Sequence, residues 1–148
     1  MKNLDPNKLF ELFSKEEEYQ EDIQQKRWIS KDNPFILMGM VVRGVENYHI
    51  ITEINSTRSY QKSSSTLKRQ HYIKYSYYKS LYKYLERLNI NSMLDLEQCL
   101  IHDIEIIDLA LNDMRSLFEE FEEYEKCALI RDVQERLLEV HSLTSIEE

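Results

Sequence analysis

Residues 93–121 read MLDLEQCLIHDIEIIDLALNDMRSLFEEF, and the spacing of their apolar side chains decides the fold class. Large apolar residues recur at alternating steps of three and four: Leu96, Leu100, Ile104, Ile107, Leu111, Met114, Phe118 and Phe121. That period places them along one face of a helix, in a narrow seam like that of a coiled coil. Ser92 or Asp95 can cap the first turn of this helix.

The residues after this seam continue the helical pattern. Apolar and small side chains recur at Tyr124, Cys127, Ala128, Val133, Leu137 and Val140. Residues 93–141 are therefore expected to form an acidic helical hairpin, an antiparallel pair, with a polar tail over 142–148. Upstream, Ile73, Tyr77, Leu81, Leu85 and Leu88 predict one more helix over 66–88.

The first part of the chain predicts a helix within residues 1–30, with Asp5 as N-cap and Pro6 at the first helical position. Two short runs follow, FILMGMVV at 35–42 and YHIITEI at 48–54, which are apolar and partly β-branched. Arg43 to Asn47 can turn the chain between them, so the pattern predicts a β-hairpin over 35–54. The polar, serine-rich residues 55–65 are predicted to be a loop.

Length and composition favour one domain built mainly of helices. A chain of 148 residues is a common size for a single domain, and we expect 1–148 to form one. With two glycines and two prolines, the chain is poor in the residues that many tight turns require. The fold class is therefore predicted as mainly α with one small β-hairpin (α+β): an N-terminal helix, the hairpin, then three helices.

Two cysteines are too few for a disulfide framework, and no apolar run approaches the roughly 20 residues that cross a bilayer. The N-terminus also lacks the apolar segment of a signal peptide. We therefore expect a cytoplasmic protein without a membrane partner.

Charge is unevenly distributed along the chain. The net charge is −8, yet residues 58–87 hold eight basic side chains against the single acid Glu86. Residues 92–148 hold sixteen acidic side chains against Arg115, Lys126, Arg131 and Arg136. The two segments are therefore of opposite sign, and they can complement each other within one fold.

The segment Met114–Asp132, MRSLFEEFEEYEKCALIRD, resembles the UVR motif. That motif is a short antiparallel helical hairpin found in UvrB- and UvrC-type repair proteins, Clp-type ATPases and activators of bacterial arginine kinases. Tyr124-Glu125 matches its aromatic and acidic positions, Cys127-Ala128 its two small residues, and Ile130-Arg131-Asp132 its closing triplet. The spacing from Met114 is one residue longer than usual, and a cysteine stands where alanine is common. The resemblance implies a protein-contact module that pairs with a second copy or with a partner helix.

The residues themselves agree with such a contact, because the small side chains at 127 and 128 allow a second helix to come close. The predicted protein-contact residues are Met114, Phe118, Phe121, Tyr124, Cys127, Ala128, Arg131 and Asp132. The alternative is that residues 96–120 and 124–141 pair only with each other, inside one chain.

Seven tyrosines are interleaved with basic residues between positions 60 and 84. Cations can neutralise a phosphate backbone while aromatic rings stack on bases. The candidate nucleic-acid-binding residues are Lys68, Arg69, Lys74, Tyr75, Tyr78, Lys79, Tyr82 and Lys83. In the alternative, the tyrosines pack in the core and the lysines pair with the acidic C-terminal helices. A basic amphipathic helix on an anionic membrane is a third and weaker alternative.

Signatures of catalysis are missing from the sequence. The four histidines are scattered, and Cys99 with His102 offers only two ligands on one helix face, whereas a structural zinc site needs four. The glycines, Gly39 and Gly44, fit no phosphate-cradling loop or nucleophile elbow. We expect no catalytic residues, no metal and no cofactor. The favoured function is a non-enzymatic adaptor or regulator that binds a protein partner or itself through the C-terminal hairpin, and the alternative is a small nucleic-acid-binding protein.

Overall fold

The computed structural model describes residues 32–58 and 64–146. Within them lie five helices: α1 Pro34–Arg58, α2 Ser64–Glu86, α3 Met93–Cys99, α4 Ile104–Glu120 and α5 Tyr124–Ile146. All five belong to the unit Pro34–Glu148. The helix predicted within residues 1–30 lies outside the described residues, and the expectation of a single domain stays a prediction.

The predicted β-hairpin over 35–54 is wrong, and with it the α+β class. These residues form α1, a helix of 25 residues, and the described part of the chain contains no strand. The buried residues of α1 are Leu37, Met38, Val41, Val42 and Val45, at steps of one, three and four. This is the helical period, and Pro34 stands at the first helical position, where its missing N–H leaves no bond unmade. β-branched residues suggested strands here, but a preference of single residue types for strands is weaker evidence than the helical spacing of the buried residues.

Gly44, taken as part of a turn, has a packing role inside α1. A Cβ at this position would lie 2.8 Å from Leu81 Cδ1, so the glycine lets α2 pack closely against the α1 backbone. Tyr77 of α2 also donates its hydroxyl to the Gly44 carbonyl at 3.0 Å. The absence of a side chain at Gly44 therefore allows α1 and α2 to cross in close contact.

The other predicted boundaries also change. Residues 55–58 belong to α1 and 64–65 to α2, which shortens the predicted loop 55–65, and α5 continues into the predicted tail as far as Ile146. The helix predicted through 93–121 is broken between Cys99 and Ile104. Ser92 caps α3 by accepting a bond from the Asp95 N–H, and Asp103 caps α4 by accepting one from the Glu105 N–H at 2.9 Å.

The break between α3 and α4 positions two side chains against the first turn of α1. Cys99 Sγ donates to the Pro34 carbonyl at 3.6 Å, and His102 Nε2 donates to the Phe35 carbonyl at 2.8 Å. The His102 ring also stacks on Phe35, with ring centroids 4.4 Å apart. These contacts explain why residues 99–103 leave the helical path.

One core joins the five helices. Its fully buried side chains include Met38 and Val41 of α1, Tyr78 and Leu85 of α2, and Met114 and Phe118 of α4. The helix α1 contacts α2, α3 and α4, while α5 contacts α2, α3 and α4. No helix in the described ranges is both long and apolar enough to span a bilayer.

Candidate protein-contact surface

The turn between α4 and α5 is a Schellman motif. Glu123 N–H donates to the Phe118 carbonyl at 2.9 Å, and Glu122 N–H donates to the Glu119 carbonyl at 3.0 Å. Glu122 has φ of 58°, in the left-handed region where glycine is usual. This closure satisfies the last carbonyls of α4 and brings the start of α5 back beside it.

Polar contacts show that α4 and α5 run antiparallel. Near the turn, Cys127 Sγ donates to the Arg115 carbonyl at 3.6 Å. Farther along, Gln134 Nε2 donates to Asn112 Oδ1 at 2.9 Å, and Arg115 donates to Gln134 Oε1 at 3.1 Å. Gln134 is the one polar residue among the buried side chains of the described residues. Its bonds to α4 satisfy it and fix the register of the pair.

An open cleft of about 650 Å³ lies on the solvent side of this pair. It is lined by Arg115 and Glu119 from α4 and by Tyr124, Cys127, Ala128 and Arg131 from α5. The side chain of Tyr124 is 66% exposed, and Arg131 is exposed as well. Cys127 and Ala128 form a floor of small side chains between them. The cleft therefore offers an aromatic edge and two guanidinium groups around a shallow base.

The predicted protein-contact residues divide into two groups. Met114 and Phe118 are fully buried in the core, so they support the hairpin from inside. Phe121 is half-buried and stacks on Tyr75 with centroids 4.1 Å apart. The cleft brings together Tyr124, Cys127, Ala128 and Arg131, and Asp132 is exposed beside them.

The candidate nucleic-acid-binding residues also divide. Tyr78 and Tyr82 are buried, and Tyr75 is half-buried, while Lys74 is only 23% exposed. The ammonium group of Lys74 lies 5.3 Å from the centroid of the Tyr78 ring. Four basic side chains remain exposed: Lys68, Arg69, Lys79 and Lys83. The tyrosine faces are thus used inside the fold, and the exposed part of the segment is mainly cationic.

Asp113 of α4 collects the polar groups of α1 and α2. Tyr78 donates its hydroxyl to Asp113 Oδ2, His49 Nε2 lies 2.8 Å from the same oxygen, and Lys74 Nζ lies 3.6 Å from Oδ1. Burial disfavours the ionised carboxylate, but the Tyr78 bond, Lys74 and His49 outweigh it and hold the pKa of Asp113 below its ordinary value. Burial, followed by the bond to Asp113, raises the pKa of Tyr78.

Glu123 connects the start of α5 to α2 in the same way. Tyr75 donates its hydroxyl to Glu123 Oε1, and Lys126 Nζ lies 2.9 Å from Oε2. The hydrogen bond from Tyr75 and the one from Lys126 lower the pKa of Glu123, although partial burial opposes them. The same bond to Glu123, followed by burial, raises the pKa of Tyr75 to about 12.

Asp113, Glu123 and Gln134 were not singled out from the sequence, although they carry most of the polar contacts between helices. A usable signal existed for Asp113 and Gln134, since each lies among apolar residues at a position that the helical period predicts to be partly buried. Glu123 belongs to an acidic run, Glu119 to Glu125, in which no single residue stands out.

The cysteines are poor nucleophiles in this setting. Burial raises the pKa of Cys99 to about 12, and burial together with Glu119 raises the pKa of Cys127. Both thiols therefore stay protonated near neutral pH. No group of three or more potential metal-ligating side chains occurs in residues 32–58 and 64–146.

A second concavity, of about 710 Å³, follows the solvent side of α1. Its apolar lining includes Phe35, Met40, Tyr77, Tyr84 and Ile106. Phe35, Met40 and Ile106 are each exposed by about two-fifths of their surface. Polar side chains also line it, among them Arg43, Glu46 and Asn47, so this surface combines hydrophobic contact with hydrogen-bonding groups.

Comparisons of the chain with protein-family models, with curated proteins and with solved structures gave no match.

Proposed function

We propose that the protein is a non-enzymatic adaptor or regulator that acts through protein contacts of the α4–α5 hairpin. One observation carries the proposal: Tyr124, Ala128 and Arg131 line one open cleft on a hairpin whose register is fixed by its own polar contacts. A rigid pair of helices presents these groups in a constant geometry, so binding requires little ordering of the surface.

The chemistry of the cleft fits a protein partner. An exposed tyrosine supplies a large contact area with few rotatable bonds, and arginine donates several hydrogen bonds in a fixed geometry. Neither the ring of Tyr124 nor the guanidinium of Arg131 forms a hydrogen bond, ion pair or ring-stacking contact with another described residue. Arg115 donates to the neutral Gln134 amide and lies 3.9 Å from Glu119, so its charge is only loosely paired. The similarity to UVR hairpins over Met114–Asp132 supports the same proposal.

The test is quantitative affinity purification of tagged protein from its native cells, with mass spectrometry. Ala128→Arg places a long charged group on the cleft floor, and Ser76→Arg makes the equivalent change at an exposed position of α2. We expect at least one partner protein to be retained by wild type and Ser76→Arg and lost with Ala128→Arg. If the proteins recovered with all three are the same, the cleft is not the contact surface.

A further inference from the structure

The outer face of α5 carries a regular stripe of solvent-facing residues, called here the α5 stripe. Its members follow at steps of four, three, four, three and four: Tyr124, Ala128, Arg131, Glu135, Leu138 and Ser142. The stripe lies opposite the buried Ile130, Val133 and Leu137. This spacing keeps all six residues along one line of the helix, as a contact with a second helix requires.

We propose that the partner of this surface is a second copy of the chain, whose α5 packs antiparallel to the first about a two-fold axis at Val133. Turning the stripe around this midpoint places Arg131 opposite Glu135, Ala128 opposite Leu138, and Tyr124 opposite Ser142. Each pair occurs twice, because the interface is isologous. In this antiparallel arrangement, the α5 stripe of one copy is complementary to the α5 stripe of the other in charge and in side-chain size.

Charge complementarity is the first support. Neither Arg131 nor Glu135 forms an ion pair with any described residue of its own chain. Within one helix, a basic residue four positions before an acidic one is the less favourable order for an ion pair. In the antiparallel arrangement, each arginine faces the glutamate of the other copy, so two complementary pairs form at the centre of the contact.

Packing is the second support. Leu138 is 47% exposed, whereas the neighbouring Val133, Leu137 and Val140 of the same helix are buried. Opposite it stands Ala128, whose small side chain leaves room for a leucine. Packed helices have axes about 8–10 Å apart, and small residues at the contact favour the short end of that range. Tyr124 extends the apolar contact at each end of the stripe.

Net charge explains why a second copy would use α5 and not another acidic surface. The whole chain carries −8, and α4 holds five acidic side chains against Arg115 alone. In contrast, α5 holds four acidic and three basic side chains. Two copies therefore repel each other less along α5 than along α4, since nearby like charges raise the cost of approach.

This inference rests on the proposed function, since the α5 stripe shares Tyr124, Ala128 and Arg131 with the cleft. The experiment uses the purified full chain alone, so its outcome is independent of partners in the cell. Sedimentation velocity over a concentration series measures the dimer dissociation constant for wild type, for Arg131→Glu, for Glu135→Arg, and for an equimolar mixture of these two variants. Lys68→Glu and Glu97→Arg are controls with the same changes in net charge at exposed sites of α2 and α3.

We expect wild type and both controls to dimerise reversibly. Each stripe variant alone brings like charges together at the centre, so its dissociation constant should rise about tenfold or more. In the mixture, two acidic positions of one variant face two basic positions of the other, so association should return to within about threefold of wild type. Such recovery also shows that the variants are folded.

Three outcomes would overturn the inference: a monomeric wild type at all concentrations, equal weakening by the controls, or no recovery in the mixture. A monomeric wild type together with partners lost from Ala128→Arg in cells leaves the proposed function standing and assigns the cleft to a different protein.

Discussion

Tyr75 and Tyr78 each direct a hydroxyl to a carboxylate on a neighbouring helix, Glu123 and Asp113 respectively. These bonds are charge-assisted, and such bonds contribute more than neutral ones. Because Asp113 and Glu123 have lowered pKa values in the fold, their contribution is present above the ordinary carboxylate pKa and is lost as the pH falls through the lowered values. Tyr75 has a raised pKa, so its contribution is present below its ordinary value and is lost as the pH rises towards about 12.

Replacing Tyr75 with phenylalanine should therefore lower the free energy of unfolding at neutral pH by about 1.5–3 kcal/mol, the usual size for a hydrogen bond to a charged group. The difference from wild type should shrink above about pH 10, because the tyrosine then loses its proton in the unfolded state while Tyr75 in the folded protein keeps its proton until about pH 12. Urea unfolding at a series of pH values measures both effects. Tyr72→Phe is the control, since the Tyr72 side chain is largely exposed. A difference that is constant up to about pH 11 would contradict this assignment.

Glu122 gives a second prediction at the scale of one residue. Its left-handed backbone costs about 1 kcal/mol for a residue with a Cβ, and glycine removes that cost. We expect Glu122→Gly to raise the free energy of unfolding by about 0.5–1 kcal/mol. Glu122→Ala removes the same charge but keeps the backbone cost, so it should not stabilise to this extent. Equal gains in thermal denaturation would assign the effect to charge instead.

Among the helices, α1 shows most clearly what sequence patterns can and cannot predict. The helix α2 lies within two residues of the range predicted at each end, because polar residues separate its apolar and aromatic side chains at the helical period. In α1 the apolar runs are dense and β-branched, so they fit a strand as well as a helix. Packing of α1 against α2, α3 and α4 favours the helix over the strand. The residue types themselves, such as Gly44 and Val45, do not predict that packing.

Gly44→Ala tests the helix crossing. Alanine is favoured over glycine in a helix by about 1 kcal/mol, but the new Cβ would overlap Leu81 in a well-packed core, where overpacking costs about 1–3 kcal/mol. We therefore expect a net loss of up to about 2 kcal/mol in the free energy of unfolding, measured by chemical denaturation. Gly39→Ala is the matched control in the same helix. Its Cβ would lie 3.2 Å from the His102 ring, a smaller overlap than that of the Gly44 position with Leu81, so its loss should be smaller. A stabilised Gly44→Ala would contradict the close packing of α1 and α2.

At the scale of the described residues, the basic segment 58–87 contacts the acidic segment 92–148, as their opposite charges suggested. His71 Nε2 lies 2.7 Å from Glu120 Oε2, and Lys74 pairs with Asp113. The candidate contact surface was predictable in part: Tyr124, Ala128 and Arg131 share the cleft, whereas Met114 and Phe118 lie in the core. Helical spacing does not distinguish the core residues from the cleft residues, because the hairpin has apolar residues both on its inner side and at the margin of the cleft.

We predict that the wild type does not bind single-stranded DNA or RNA measurably at physiological salt. The buried rings of Tyr78 and Tyr82 are unavailable for stacking, and the acidic helices repel a polyanion. Fluorescence anisotropy at two salt concentrations provides the measurement. Binding with a log-log salt slope of roughly −2 to −4, the value for three or four phosphates, would favour the nucleic-acid alternative. Loss of such binding in Lys79→Glu and Lys83→Glu would assign it to α2.

The position of α1 beside α4 has a consequence for the order of folding. Contacts between α1 and α2, and between α4 and α5, join neighbouring helices and close short loops. The contacts of Phe35 with His102 and of His49 with Asp113 close loops of more than 60 residues, which costs more chain entropy and slows folding. We expect the two helical hairpins to form early and α1 to dock on α4 late. His49→Ala, which removes the contact with Asp113 of α4, should then mainly accelerate unfolding, as stopped-flow kinetics would measure.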